Sequence, residues 1–390
     1  MKGPSTTGSL LGWLRLRQRA MTRLLCRFVR AESPSFDKAA VDRFGRMVAS
    51  EWRKRGATVT WLRQRERGDH VRAEWHPRSG NRARTQILVL GHLDTVYETG
   101  TLARMPFRVA RGRAWGPGTF DMKGGLVIAL YAVDALAAAG RWPEKRIVFL
   151  WTADEEIGSQ SSRGVIEREA KRSEAVLVLE PASGLDGRVK TGRKGVGEIE
   201  LIVTGRAAHA GLNPEEGINA IEEIALQIAR ISRWNQPQRG ITVNSGVIEG
   251  GTRTNVIAER ARTLVDLRAA RAGDMRALER KFRALRPFLA GAKLQVLGGF
   301  NRPPLERKMS AALYAMARAL ANEMGVTLGE TFVGGGSDGN FTAALGVPTL
   351  DGLGAVGEGA HSLRENIVVR ALPERAALVA GLLAALASEI

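Results

Sequence analysis

Several polar clusters follow short apolar segments of the chain, and their side chains can bind a metal ion or move a proton. The clusters contain His92 and Asp94, Asp121, the acids Asp154, Glu155 and Glu156, and Glu180, while His361 stands far downstream in a glycine-rich loop. Imidazole and carboxylate groups are ligands that zinc accepts, and a carboxylate can also act as a general base. Several acids in one cleft repel each other unless cations lie between them. Two divalent ions that share one carboxylate would remove this repulsion and would suit hydrolysis.

The spacing inside any one cluster does not by itself establish a metal or catalytic site. His92 and Asp94 are two residues apart, so in an extended segment both side chains point to one face. Asp121 stands at the entrance of a predicted helix, where the alternative role is that of a helix cap. A His-x-Asp pattern is common by chance, a Glu-Glu pair alone is usually a solvated surface pair, and Asp154 is a rival to the two glutamates after it.

The elements around the clusters indicate an α/β fold. Apolar strands are predicted at 87–90, 146–152 and 175–179, with helices at 122–139 and 161–172. Short buried strands that alternate with helices are typical of a mainly parallel sheet with helices on both faces. Open sheets of this kind place ligands at the C-terminal ends of their strands. The polar clusters stand at those ends, so we expect them to meet.

The pattern changes near Gly192 and returns near Ser310. Between them the order is β-α-β-β-α-β, with strands at 198–204, 241–248, 261–267 and 293–297 and helices at 215–233 and 274–285. This order is typical of a ferredoxin-like sheet with helices on one face. We predict an α/β domain in two parts, 1–190 and 304–390, with an α+β module at 191–303 inserted as a lid. Residues 1–16 are interpreted as an arm of uncertain order.

The composition is that of a globular protein with a strong basic excess. The 390 residues are 44% hydrophobic and 25% charged, which excludes wholesale disorder. The net charge is +18, and 47 of the 58 basic residues are arginine. Such a charge is compatible with nucleic acid, an anionic membrane surface or an acidic substrate. Because the arginines are scattered, we favour general residue usage, and a basic nucleic-acid-binding protein is the remote alternative.

Cysteine and histidine usage narrows the possible sites. Cys26 is the only cysteine, so an intramolecular disulfide and a thiolate zinc site are excluded. No run of 18 apolar residues predicts a membrane span, and the first residues lack a signal-length apolar run, so we expect a cytoplasmic protein without a membrane partner. His70 and His76 match no motif and are interpreted as surface residues.

Taken together, the clusters and their order along the chain resemble the motifs of a known family. They occur in the order found in the di-zinc metallopeptidases, which include glutamate carboxypeptidase, aminoacylase and succinyl-diaminopimelate desuccinylase. The matching segments are His92-Leu93-Asp94, 116–125, 155–159, Glu180-Pro181 and His361-Ser362, and the resemblance covers roughly 24–390. Residues 94–97, 106–107 and 112–116 look most like the glutamate carboxypeptidase branch.

This resemblance implies a metal site and a mechanism. It implies two Zn²⁺ per subunit, with Co²⁺ or Mn²⁺ as alternatives. One ion would be held by His92, Asp121 and Glu180, and the other by Asp121, Glu156 and His361. Glu155 would be the general base, and Asp94 would fix the tautomer of His92 by a hydrogen bond. The family also implies a cis peptide bond after Asp121.

The same resemblance implies a substrate class and an assembly. The substrate would be a short peptide or an N-acyl amino acid, hydrolysed at an amide bond next to a free α-carboxylate, and no nucleic acid would be bound. Substrate-binding roles would fall to His209, Asn255, Arg268, Gly335 and Gly336. Two chains would form a homodimer through the inserted lid, with His209 reaching the partner's site. An aminoacylase, another deacylase or a dipeptidase of the same family is the alternative.

Overall fold

The chain divides into two compact units, each with its own hydrophobic core. The computed structural model describes residues 6–76, 85–141 and 143–387. The first unit comprises Met1–Gly192, Arg307–Phe332 and Ser337–Ile390, and the second comprises Arg193–Glu306 and Val333–Gly336. The second unit is therefore an insertion in the first, together with a short glycine-rich segment from further along the chain.

Helices and strands alternate along most of the described chain. The helices are α1 (Thr6–Arg15), α2 (Gln18–Val29), α3 (Lys38–Lys54), α4 (Thr101–Arg104), α5 (Gly124–Ala138), α6 (Arg163–Ala170), α7 (Ala220–Ser232), α8 (Ala272–Arg283), α9 (Ala311–Glu323), α10 (Gly339–Ala344) and α11 (Ala371–Ala387). The strands are β1 (Thr58–Leu62), β2 (His70–Trp75), β3 (Gln86–His92), β4 (Arg108–Ala110), β5 (Arg113–Trp115), β6 (Arg146–Thr152), β7 (Ser173–Val178), β8 (Val189–Arg193), β9 (Gly195–Thr204), β10 (Thr242–Gly250), β11 (Arg260–Ala269), β12 (Lys293–Arg302), β13 (Glu330–Val333), β14 (Thr349–Leu350), β15 (Gly357–Glu358) and β16 (Asn366–Val368).

The first unit is built on a six-stranded sheet of order β1-β2-β6-β3-β7-β14. Strands β6, β3, β7 and β14 run parallel, while β2 is antiparallel to both β6 and β1. The predicted mainly parallel α/β sheet is thus confirmed, with an antiparallel pair at one edge. A smaller antiparallel sheet of order β15-β16-β5-β4 also belongs to this unit.

Alternate residues of the central strand enter two different cores. Ile87 and Val89 pack into the larger core, to which α2, α3, α5 and α11 contribute. Leu88 and Leu90 pack into a second core, with side chains from α6 and α10. Side chains alternate across a strand, so a strand without polar positions is stable only when both faces are covered. The helices on both faces therefore follow from the uninterrupted apolar sequence of β3.

The second unit is an antiparallel sheet with helices on one face. Its strand order is β10-β11-β9-β12, and the chain order is the predicted β-α-β-β-α-β. Along β9 the alternate residues Ile199, Leu201 and Val203 are buried against α7 and α8. Glu198, just before them, is exposed, and Glu200 and Ile202 between them are half-buried, as expected for a sheet with one covered face.

The N-terminal segment differs from the sequence interpretation. Residues 6–15, interpreted as an arm of uncertain order, form α1, in which Leu10, Leu11 and Leu14 are buried. Their spacing gives the helix one apolar side, which joins the core of the first unit. Within the described ranges, no helix is long and apolar enough to cross a membrane.

We predict that Gly125→Ala destabilises the first unit. A Cβ at Gly125, in the first turn of α5, would lie 2.4 Å from the carbonyl oxygen of Leu179. Because a backbone atom cannot move aside as a flexible side chain can, this overpacking should cost roughly 1–3 kcal/mol. Thermal unfolding should show a lower melting temperature than the parent protein.

The control is Gly12→Ala in α1, where a Cβ would meet nothing within 4 Å. This change should leave the melting temperature the same or raise it, because alanine favours a helix by about 1 kcal/mol over glycine. Equal melting temperatures for the two variants would contradict the steric argument.

Candidate metal centre

Three parallel strands bring polar residues to one edge of the main sheet. Strand β3 ends at His92, which is paired in register with Thr152 at the end of β6. The chain after β6 turns through a short 3-10 segment, Glu155–Ile157. Strand β7 ends two residues before Glu180, which is buried. The strand register therefore places these side chains side by side, as the sequence predicts.

Asp121 reaches the same place from the smaller sheet. It follows β5 by way of a turn, and the peptide bond from Asp121 to Met122 is cis, as the family resemblance implied. The buried carboxylate of Glu365 accepts hydrogen bonds from the backbone N–H of Phe120 at 2.7 Å and of Asp121 at 3.0 Å. The Tyr97 hydroxyl donates to the other oxygen of Glu365. Glu365 thereby holds the backbone that leads into Asp121.

Two groups of possible metal ligands share the Asp121 carboxylate. His92 Nε2 lies 3.3 Å from Asp121 Oδ1 and 3.4 Å from Glu180 Oε1. His361 Nε2 lies 3.4 Å from Asp121 Oδ2 and 3.2 Å from Glu156 Oε2. In each group the three ligand atoms lie within 4.8 Å of one another. The structure therefore brings together all five residues for which the resemblance implied metal binding.

Asp94 supports both His92 and the turn that follows β6. Its backbone carbonyl lies 2.9 Å from His92 Nδ1, whereas its carboxylate lies 3.5 Å from the same nitrogen. In the neutral imidazole the Nδ1–H therefore donates to the carbonyl, which leaves the lone pair on Nε2. The Asp94 carboxylate accepts from Ser35 Oγ at 2.7 Å and from the N–H groups of Glu155 at 3.2 Å and Glu156 at 3.3 Å. The tautomer is thus set mainly by the backbone, and the carboxylate orients the two glutamates.

The electrostatics of the cluster indicate a need for positive charge. Burial by itself lowers the pKa of His92, but its hydrogen bonds to the surrounding carboxylates raise that pKa well above its usual value. Hydrogen bonds to carboxylates raise the pKa of His361 to about 10. Burial raises the pKa of Glu156 to about 7. For Asp121, burial opposes ionisation, but hydrogen bonds from the two histidines lower its pKa below the usual range. Protons on the imidazoles therefore neutralise the acids in the absence of another cation.

The donor atoms fit a divalent cation. Glu156 Oε1 is fully buried and has no hydrogen-bond partner within the part of the chain that the structure describes. A buried carboxylate oxygen without a partner is costly, and a metal ion would satisfy it. The backbone of His361 has φ of 60°, a left-handed conformation that is uncommon outside glycine and is often found where a side chain is held for function.

Two further buried residues support the turn that bears the glutamates. His70 is fully buried, so its interpretation as a surface residue is wrong, whereas His76 is exposed as predicted. The reason is the position of β2, which lies inside the sheet between β1 and β6. His70 Nδ1 accepts the Ala153 N–H at 3.1 Å, and the carboxylate of Asp338 accepts from Thr152 Oγ1 at 3.2 Å. Neither residue stands in a sequence pattern that would have indicated this role.

The five residues for which substrate binding was predicted belong to the second unit. His209 and Asn255 are exposed, and the Ala210 N–H donates to the Asn255 carbonyl at 3.0 Å, so their loops are joined. His209 Nδ1 accepts from the N–H groups of Gly211 at 3.1 Å and Leu212 at 3.2 Å. In neutral His209 the proton is therefore on Nε2, which makes that nitrogen a hydrogen-bond donor.

Arg268 and the glycine-rich segment are also connected to each other. Arg268 pairs with Asp266 through Nη2 at 2.8 Å, and its Nη1 donates to the Gly334 carbonyl at 3.4 Å. The carbonyls of Gly335 and Gly336 accept from Arg193 Nη1 at 3.2 Å and 3.0 Å. Two arginines thus hold the carbonyl side of this segment.

Comparison with known proteins agrees with this arrangement. A family model for peptidase family M20/M25/M40 matches residues 88–385. Carboxypeptidase G2 of Pseudomonas sp. strain RS-16 is 32% identical over 375 residues, which cover 94% of this chain and 89% of that protein. A succinyl-diaminopimelate desuccinylase of Dechloromonas aromatica is 30% identical over 321 residues, covering 74% of this chain and 80% of that one.

The fold also matches solved structures. The crystal structure of aminopeptidase PepT from Bacillus cereus aligns with a TM-score of 0.79 at 22% sequence identity, covering 95% of this chain and 99% of that one. The family resemblance inferred from the polar clusters is confirmed by these matches. The chain belongs to peptidase family M20/M25/M40 and is a peptidase-type, metal-dependent hydrolase.

Proposed function

We propose that this protein is a two-metal carboxypeptidase-type hydrolase that cleaves an amide bond next to a free α-carboxylate. The observation that carries the proposal is the position of the Asp121 carboxylate. One of its oxygens faces His92 Nε2 at 3.3 Å, and the other faces His361 Nε2 at 3.4 Å. A carboxylate in this position would be the ligand that two cations share.

The donor set favours zinc as the resident ion. His92, Asp121 and Glu180 would hold one ion, and Asp121, Glu156 and His361 would hold the other. Zinc accepts imidazole nitrogen and carboxylate oxygen in one site, whereas cobalt and manganese accept the same donors and are the alternatives. When bound, the ions acidify a water molecule and polarise the substrate carbonyl.

Glu155 is the general base in this proposal. It lies next to the ligand Glu156 in the 3-10 turn, and its N–H is held by the Asp94 carboxylate at 3.2 Å. Its own side chain belongs to neither ligand group. Glu155 takes a proton from the attacking water and gives it to the leaving amine, which completes hydrolysis without a covalent intermediate.

The second unit supplies groups that suit an acidic substrate. His209 Nε2–H is a donor for the oxyanion that develops on the scissile carbonyl, and the side-chain amide of Asn255 is a further donor. Arg268 donates to Asp266 through Nε and Nη2, and its Nη1, on the side of the glycine-rich segment, is the charged donor assigned to a substrate carboxylate. The backbone N–H groups of Gly335 and Gly336 are assigned to the same carboxylate.

The proposal includes a homodimer formed through the second unit. Strand β10 lies at an edge of its sheet, and Val247 and Ile248 on it are 40% and 57% exposed. An edge strand with exposed apolar residues suits pairing with a second copy. His209 would then act at the metal centre of the partner subunit.

Replacing a metal-site histidine should remove metal together with activity. We expect His92→Ala and His361→Ala to bind fewer than two ions per chain and to lose about 100-fold or more in kcat/KM. Metal content is measured by elemental mass spectrometry after gel filtration, and hydrolysis is followed in the same samples. His76→Ala changes an exposed histidine outside the ligand groups and should retain both metal and rate. Full metal content in both site variants would refute the ligand assignment.

Replacing the general base should lower the rate of hydrolysis without loss of metal. Glu155→Gln should retain two ions but lower kcat by about 10²–10⁴-fold, because the proton acceptor is removed while the ligands remain. Glu66→Gln, which neutralises an exposed glutamate, is the matched control and should leave kcat unchanged. If Glu155→Gln turns over at the parent rate, another residue is the base.

A deacylase is the second candidate, because the desuccinylase of Dechloromonas aromatica is 30% identical to this chain. A screen of N-acyl-glutamate, N-acetyl amino acids and an N-succinyl diamino acid, each with zinc, cobalt and manganese, separates the two. We expect kcat/KM to be highest for N-acyl-glutamate and to fall at least tenfold when its α-carboxylate is methylated, since the charge-assisted hydrogen bond from Arg268 to the substrate is then lost. A preference for the N-succinyl substrate would identify a deacylase, and indifference to methylation would overturn the α-carboxylate requirement.

A further inference from the structure

The first unit contains a cavity of about 620 Å³ that none of the five proposed metal ligands lines. Its walls come from the β4–β5 hairpin, the segment that follows α9, strand β16 and the beginning of α11. Small-molecule sites in proteins commonly have volumes of about 300–1,000 Å³, so this cavity is large enough for an organic ligand.

Much of the wall is apolar. Leu328 and Leu378 are buried in it, and Val326 lies between α9 and β13. Val109 on β4 and Leu185 in the loop before β8 also line the cavity, and each is 50% exposed. A ligand with an apolar body would cover these exposed side chains, which gives a favourable contribution from buried apolar area.

A buried cation forms part of the lining. Arg375 is 5% exposed, and its guanidinium donates to the carbonyls of Gly354 and Gly187 at 3.0 Å each and to that of Gly352. Burial lowers the pKa of Arg375 to about 10, so it is charged at neutral pH. No carboxylate pairs with it in the described part of the chain, and the three carbonyls only partly compensate its charge.

The acidic residues of the lining already have partners. Asp186 lies 3.1 Å from Arg188, and Glu374 lies 3.9 Å from Arg15. Their negative charges are therefore partly balanced by arginines outside the cavity lining, and neither acid forms a direct ion pair with Arg375, although the charge of Glu374 favours the protonated guanidinium.

Two arginines at the cavity have no such partner. Among the residues that the structure describes, neither Arg111 nor Arg370 forms an ion pair or a side-chain hydrogen bond, and both are exposed. Arg111 is at the tip of the β4–β5 hairpin with φ of 47°, next to Gly112 with φ of 73°, so the tight turn fixes where its side chain begins. Arg113 beside them differs, because it pairs with Glu358.

We propose that this cavity is a second ligand site, which binds an organic anion with an apolar body and a carboxylate or phosphate head. The apolar body lies against the valine and leucine side chains. The anionic head lies among Arg111, Arg370 and Arg375, whose charge it complements. Guanidinium groups bind carboxylate and phosphate in the same forked geometry, so both heads fit the site.

The test uses the full-length, metal-loaded protein and isothermal titration with three eight-carbon probes. Octanoate and octyl phosphate should bind with Kd of about 1 mM or below, and the stronger of the two identifies the head group. 1-Octanol has the same tail without charge and should bind at least tenfold more weakly. Equal binding of octanol, or no binding of either anion up to about 10 mM, would overturn the proposal.

Variants locate the binding site. Arg111→Ala with Arg370→Ala, and separately Leu185→Asp, should each weaken octanoate binding at least tenfold while the rate of hydrolysis without octanoate is unchanged. Arg276→Ala with Arg280→Ala removes two exposed arginines from α8 and controls for net charge, so its octanoate affinity should equal that of the parent. Octanoate affinity that survives in both cavity variants places the anion elsewhere and refutes the site.

Discussion

Repulsion among acidic side chains at one edge of the main sheet is the constraint that the surrounding structure has to satisfy. Two like charges 4 Å apart repel by roughly 4 kcal/mol at the effective dielectric of a protein site. Asp121 is close to the acids of both groups of ligands, because the two groups share it. The rest of the structure holds its backbone in place. Glu365 accepts the N–H groups of Phe120 and of Asp121 itself, and the buried amine of Lys123 donates to the Ala31 carbonyl at 2.7 Å. The acids are thus kept close by groups that do not themselves neutralise them, and protonated imidazoles or a bound cation would relieve the repulsion.

The two sheets of the first unit position different residues of the candidate metal centre. The parallel strands β3, β6 and β7 of the main sheet position His92 and the acids that follow β6 and β7, because the C-terminal ends of the three strands lie side by side. The smaller sheet delivers the residues that join the two ligand groups. Strand β5 leads to Asp121, β15 leads to His361, and Glu365 directly precedes β16. The shared ligand and its support therefore come from neighbouring strands of one small sheet, which keeps their relative positions fixed.

The sequence was sufficient for the elements whose side chains follow a simple period. The uninterrupted apolar segment of β3 predicted a strand covered on both faces, and the alternation along β9 predicted a sheet covered on one. The polar residues at strand ends were found because parallel topology fixes where such ends meet. His70 was missed because its burial depends on β2 being an interior strand, which is a property of the whole sheet. Glu365 was missed because it binds backbone N–H groups more than 240 positions earlier in the chain, and no local pattern records such a contact.

Some of the many arginines have a structural role, because they donate hydrogen bonds to backbone carbonyls of glycine-rich loops. Arg375 donates to three glycine carbonyls, and Arg193 donates to two more in the glycine-rich segment. Glycine-rich loops leave carbonyl groups outside any sheet ladder, and buried carbonyls need donors. One guanidinium provides five N–H groups in a plane and can serve several carbonyls at once, which a lysine amine on a flexible stem does less well. At these positions arginine is present because the loop carbonyls need hydrogen-bond donors, and its positive charge comes with that role. The high net charge of the chain is therefore compatible with chemistry that depends on a cluster of acids.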